Sequence, residues 1–171
     1  FSTEIENKVK SIKIKINGKD EIHSYDYVIS TMPISELMGS ISGKNKIKIF
    51  PNNTQEIAYN LPYRDFITVG LLLNNIHTPN GDDLDDTWIY VQESDVKVGR
   101  LQIFNNWSPY LVANKEKKWV GLEFFCQEGD EIWNMKDEEL ISLAKHELQK
   151  LRLCEDIDYV DGTVIREKKT Y

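Results

Sequence analysis

Three runs between positions 87 and 126 decide the fold: Thr87-Trp-Ile-Tyr-Val91, Gly99-Arg-Leu-Gln-Ile-Phe104 and Lys118-Trp-Val-Gly-Leu-Glu-Phe-Phe-Cys126. Each is rich in aromatic and β-branched residues and ends in polar or turn-forming sequence, so each reads as a strand. Their close succession predicts the meander of an antiparallel sheet. Just upstream, residues 66–73 form a continuous apolar run, Phe-Ile-Thr-Val-Gly-Leu-Leu-Leu, as expected of a buried central strand. Residues 159–165 read as a final strand. Between them, residues 137–153 place Leu140, Ile141, Ala144, Leu148 and Leu151 on one helical face. Asp137 is the expected cap of that helix. Glu138 and Glu139 suit its positive end, and Lys150 and Arg152 its negative end.

The N-terminal part reads differently. Ile12, Ile14 and Ile16 alternate with Lys13 and Lys15, the pattern of a half-buried strand. Asn17-Gly18 predicts a hairpin turn, and a return strand is expected over residues 21–30, stopped by Pro33. Short helices are expected from Ile34 and after Pro51, the second capped by Thr54. The sum is an α+β fold, a mixed and largely antiparallel β-sheet with a few covering helices. Two parts are expected: a β-hairpin segment over residues 1–33 and a second domain over 34–171.

The bulk numbers set limits. The chain has 171 residues, 40% hydrophobic and 29% charged, with a formal charge of −7. A broad nucleic-acid surface is disfavoured by that charge. The run at 66–73 is far below the roughly 20 residues of a membrane span. The first residue is Phe1 and the last, Tyr171, follows a charged stretch. The expectation is a piece of a longer, cytoplasmic protein, whose exposed strand edges favour a homodimer.

Metal and nucleophile chemistry find little in the sequence. Cys126 and Cys154 read as reduced structural thiols. His23, His77 and His146 are far apart, and the acidic run Asp82-Asp83-Leu84-Asp85-Asp86 lacks the spacing of a calcium loop. No metal site is expected. The nine glycines form neither GxGxxG nor a phosphate loop.

What stands out is polar and aromatic: Trp88, Tyr90, Arg100, Asn106 and Trp107. Arginine offers a planar fork of donors that matches a pyrophosphate, and tyrosine adds a hydroxyl on a stiff body. Packing alone also explains aromatics on strands and an arginine beside a carboxylate.

Two stretches carry a resemblance. Val9-Lys10-Ser11-Ile12, followed by Tyr25-Asp-Tyr-Val-Ile-Ser-Thr-Met-Pro33, resembles the segment of flavin-containing amine oxidoreductases that leads out of the dinucleotide-binding domain. Trp88-x-Tyr90, Arg100 and Asn106-x-Ser108-Pro109, continued by Glu123 and the Asp137 helix, resemble the UDP-galactopyranose mutase branch of that superfamily. The resemblance implies FAD, with Val9, Thr31 and Pro33 beside it and residues 1–33 belonging to the FAD-binding domain. It implies a substrate site of Tyr90, Arg100, Asn106, Trp107 and Tyr171 for a small molecule, a UDP-sugar in the mutase branch. There the activity is a change of sugar ring size that proceeds with the flavin reduced.

Departures from the family are as plain. The N-terminal GxGxxG unit and the glycine-rich segment that holds the flavin are absent, so the chain alone is expected to be inactive. Trp107 stands where the mutases carry tyrosine. An amine- or carbon–carbon-oxidising flavoenzyme resembling protoporphyrinogen oxidase remains open, as does a binding module that is not an enzyme.

Overall fold

The Asn17-Gly18 pair makes the turn it predicts, both residues having positive φ, 50° and 80°. In this computed structural model, which describes residues 2–4, 8–41 and 53–170, the turn joins two strands of a small antiparallel sheet. Its strands are β1 (Ser2–Glu4), β2 (Lys8–Ile16) and β3 (Lys19–His23), in the order β1-β2-β3. The expected return strand over 21–30 is corrected: pairing stops at Ile12↔His23. Beyond it, Tyr27 and Ile29 are both 92% exposed. Strand propensity without a partner strand does not make a ladder. Two helices follow, α1 (Ile34–Ser40) and α2 (Thr54–Asn60). Thr54 is not the cap of α2. Asn53 is, in the left-handed region at φ 71°, a conformation asparagine tolerates. Met38, Ile41 and Ala58 form the small core of these helices. All this lies in the first of two units, Phe1–Pro62.

The second unit, Tyr63–Tyr171, holds the meander. Its strands are β4 (Asp65–Leu73), β5 (Trp88–Tyr90), β6 (Arg100–Ile103), β7 (Lys118–Cys126) and β8 (Tyr159–Glu167). They form one sheet in the order β5-β6-β7-β4-β8, each pair antiparallel. Phe104–Trp107 is a helical turn, α3, so the strand stops one residue short of the expected Phe104. The apolar run at 66–73 is central, as its lack of alternation predicts, flanked by β7 and β8.

One face of this sheet is covered by α4 (Asp137–Lys150). Ile67, Val69, Leu71, Leu101, Val120, Leu122 and Phe124 point into the same buried core as Leu140, Ala144 and Leu148 of α4. Residue Lys136, not Asp137, is the cap: its N–H donates to Glu139 Oε2 at 2.8 Å. Asp137 instead accepts from Arg166 Nη1 at 2.7 Å, while Arg166 Nη2 reaches the Met135 carbonyl at 2.6 Å. This arginine of β8 therefore ties the entry of α4 to the sheet. The helix ends at Lys150 rather than 153, because Arg152 turns left-handed at φ 59°. Both cysteines are buried and free, and burial pushes the Cys154 thiol up to about 11.

Asp65 closes the far end of the sheet. Its carboxylate accepts from the Lys169 and Glu128 backbone N–H groups, both at 2.7 Å. These bonds, that from Lys169 first, hold its carboxyl below the ordinary aspartate value. A depressed carboxylate contributes stability above the unfolded value, and that stability is lost as pH falls through the folded value. Asp65→Asn is thus expected to be the less stable protein at neutral pH. The gap should close in strong acid, as urea unfolding at both pH values would read.

Candidate functional site

The sheet face away from α4 is built in transverse rows. Register places Tyr90 opposite Arg100, Arg100 opposite Glu123, Glu123 opposite Thr68, and Thr68 opposite Ile165. This first row crosses all five strands. A second row lies two residues along: Trp88, Gln102, Gly121, Gly70 and Thr163. Side chains alternate faces along a strand, so both rows point the same way, away from the apolar core.

Arg100 is the electrostatic centre of the first row. It is 4% exposed, and its Nη2 pairs with the carboxylate of Glu123, itself 1% exposed. Gln102 Nε2 donates to the other carboxylate oxygen. The guanidinium also lies over Trp88, Cζ to ring centroid 4.3 Å, and is 5.5 Å from the Phe125 ring. A buried charge is tolerated when it is paired and hydrogen-bonded, and here it is both. The pair is neutral overall, and its geometry is fixed by two aromatic rings and an amide.

Above it stands an exposed aromatic ridge. The Trp88 ring centroid is 6.1 Å from that of Tyr90 and 5.8 Å from that of Trp107. Tyr90 is 65% exposed, so its hydroxyl is open to a ligand. Asn106 plays a different part, because its amide nitrogen donates to the Leu84 and Asp86 carbonyls, at 2.7 and 3.0 Å. It fastens the acidic loop, and so positions Trp107 beside it. Neighbouring Asn105 bridges α3 to β7, donating to the Lys117 carbonyl at 2.7 Å and accepting from Trp119 N–H at 2.9 Å.

Tyr90 and Arg100 are opposite one another on adjacent strands, and Trp107 is on the same side of the sheet through its ring contact with Trp88. Tyr171 lies outside the described residues. Val9 on β2, and Thr31 and Pro33 before α1, belong to the first unit. Sequence reasoning missed Gln102 and the glycines opposite one another, Gly70 and Gly121. A signal was there: Val-Gly-Leu occurs at 69–71 and again at 120–122, a glycine inside each of two apolar strands. Among the described residues no group of three or more His, Cys, Asp or Glu could hold a metal ion, and no helix is long and apolar enough to cross a membrane.

No family model matches the chain, and no curated protein does. Solved structures do. A reduced UDP-galactopyranose mutase is similar over 95% of this chain and 32% of its own, with a TM-score of 0.65 and 23% identity. A putative protoporphyrinogen oxidase from Exiguobacterium sp. 255-15 is similar over 100% of this chain and 34% of its own, with a TM-score of 0.54 and 14% identity. The likeness is one of fold. The chain spans about a third of the length of the structures it matches.

Proposed function

We propose that this chain is the substrate-binding part of an FAD-dependent enzyme of the amine oxidoreductase superfamily, acting on a UDP-sugar as a UDP-galactopyranose mutase does. The observation that carries the reading is the pairing of Tyr90 with Arg100 on adjacent strands, under an exposed aromatic ridge. In this reading Arg100 and Tyr90 meet the pyrophosphate, and Trp107 lines the pocket with Asn106 holding it in place. Glu123 and Gln102 keep the guanidinium plane fixed, so little ordering is left to be done when a ligand arrives.

The cofactor belongs to the whole protein. In this reading Val9, Thr31 and Pro33 border the flavin, and Tyr27 and Ile29, exposed just before Thr31, offer it apolar surface. The sequence has no glycine-rich phosphate turn, so these residues make a border and no cradle for the pyrophosphate of FAD. When bound, a flavin supplies the electron-rich centre that the side chains here lack. This chain's residues bind and orient the substrate.

Two measurements test the reading. The full-length protein, with its flavin reduced by dithionite, should convert UDP-galactopyranose to the furanose, followed by chromatography. Tyr90→Phe should weaken UDP binding about tenfold by calorimetry and leave the melting temperature unchanged, because one hydrogen bond to a charged group is lost and no buried contact is. Unchanged affinity would remove Tyr90 from the site.

One observation favours a second reading. Arg100 already has a buried carboxylate partner, so its charge is compensated and its role can be to organise the sheet. The protein would then oxidise an amine or a carbon–carbon bond. Oxygen consumption on adding an amine, with no response to UDP, would decide for it.

A further inference from the structure

Gly99 stands immediately before Arg100, at the entry of β6. Among the described residues the glycines with positive φ are Gly18, Gly81 and Gly129, so a left-handed backbone is not what calls for glycine here. The reason is steric. A Cβ on Gly99 would stand 2.6 Å from both Cδ2 and Cε2 of Phe125, well inside the roughly 3.5–4.0 Å at which carbon atoms pack. The Phe125 ring therefore occupies the space that any side chain at 99 would need. Both backbones are tied down. Gly99 N–H donates to the Glu123 carbonyl at 3.0 Å, and its carbonyl accepts from Val91 N–H at 3.1 Å. One residue earlier, Val98 N–H is held by the Glu147 carboxylate at 2.6 Å. Phe125 sits inside the β4–β7 ladder, opposite Phe66. What is left to give way is the Phe125 ring itself, which is half-buried.

We propose that Gly99 and Phe125 are positioning residues for Arg100: the absent side chain at 99 lets the Phe125 ring stand beside the guanidinium, and the ring sets the tilt of the plane that the guanidinium presents to a diphosphate. The proposal rests on the sugar-nucleotide reading given above and adds to it what aims the arginine. Arg100 has two aromatic neighbours, Trp88 with its centroid 4.3 Å from Cζ and Phe125 at 5.5 Å. Glu123 attracts the charge, but Coulomb attraction alone is weakly directional, whereas a planar guanidinium beside a ring is held in orientation as well as in place. The tilt matters because two parallel N–H donors reach a phosphate only when the plane is aimed at it. The two aromatic neighbours differ in how they are anchored. Trp88 is on the edge strand β5 and 37% exposed, while Phe125 comes from the interior strand β7. A ring on an interior strand, confined by a pinned backbone at Gly99, is the fixed reference of the pair.

A double-mutant cycle in the full-length protein tests this. Wild type, Gly99→Ala, Phe125→Leu and the double variant are each titrated with UDP by calorimetry and with uridine by ligand-observed NMR. In Gly99→Ala the methyl displaces the ring, so UDP affinity should fall about tenfold. Uridine carries no phosphate for the guanidinium to meet, and its affinity should stay within about twofold. Phe125→Leu removes the ring and should weaken UDP about fivefold. The double variant should bind UDP no more weakly than the weaker single variant, because the added methyl then has no ring to displace. Equal losses for UDP and uridine would mean general damage to the fold and overturn the proposal. So would losses that add in the double variant, since the two residues would then act independently. Should Gly99→Ala fail to fold, Phe125→Leu decides alone, and wild-type UDP affinity in it overturns the proposal. If the wild type binds UDP and Gly99→Ala binds it as tightly, the sugar-nucleotide reading stands and this inference falls. A wild type that binds neither ligand overturns that reading and this inference with it.

Discussion

Arg100→Met is expected to cost the protein about 3–5 kcal/mol of folding stability, the usual penalty for orphaning a buried charge. Glu123 is 1% exposed and pairs with Arg100. Without the guanidinium, its carboxylate keeps the Gln102 amide and loses its counter-charge. Methionine restores the volume under Trp88 and Phe125, so the loss reads the charge and not a cavity. The double variant Arg100→Met, Glu123→Leu should recover most of the stability, because an apolar pair of similar size needs no compensation. Urea unfolding of the four proteins in the cycle gives the answer. A single-variant loss below about 1 kcal/mol, or a double variant no better than the single, would mean that the pair is solvated and weak. The same result bears on function. Loss of UDP binding in an Arg100 variant would mix misfolding with a lost ligand contact. Tyr90→Phe, on an exposed side chain, separates the two.

The meander was legible because its strands announce themselves by composition, each an aromatic and β-branched run bounded by polar or turn-forming sequence. The central place of 66–73 was legible because a strand flanked on both sides and buried in the middle of a sheet has little reason to alternate. Asn17-Gly18 was legible because few residue pairs tolerate that backbone. The return strand misleads since Tyr27-Val28-Ile29 looks like a strand and has none beside it among the described residues. Asp137 misleads as a cap because a capping residue and a first-turn residue share the same composition, and the choice between them is made by Arg166, on β8. Tyr90 beside Arg100 could be read from turn length. The partner of Arg100 could not be fixed: Glu123 is 23 residues away, and only the register of β6 on β7 brings it opposite. That Gly70 faces Gly121 follows from the register of β4 on β7, which the two Val-Gly-Leu runs do not set by themselves.

Glu147 presents the second large effect. It lies on the buried side of α4, 4% exposed, at a position where an amphipathic pattern calls for an apolar residue. Its carboxylate accepts from the backbone N–H of Lys97 at 2.7 Å and of Val98 at 2.6 Å. Both belong to the connection between β5 and β6, the one that leads from Tyr90 to Arg100. Lys150, one turn further along α4, pairs with Asp95 of the same connection at 2.8 Å. The helix therefore holds the loop by charge-assisted bonds on one side of the sheet, while the loop sets the alignment of the candidate site on the other. Glu147→Ala leaves two N–H groups unpaired, one of them buried, and is expected to cost about 2–4 kcal/mol. Glu147→Gln keeps the size and one acceptor, and should lose about half of that. Amide hydrogen exchange gives a sharper test than global stability. Lys97 and Val98 should exchange faster in Glu147→Ala by more than the average residue of β7, since the loop opens before the sheet does. Uniform acceleration would mean that Glu147 supports the fold as a whole. Faster exchange at the loop, together with weaker UDP binding at unchanged Tyr90 and Arg100, would show that the site depends on a carboxylate on the far side of the sheet.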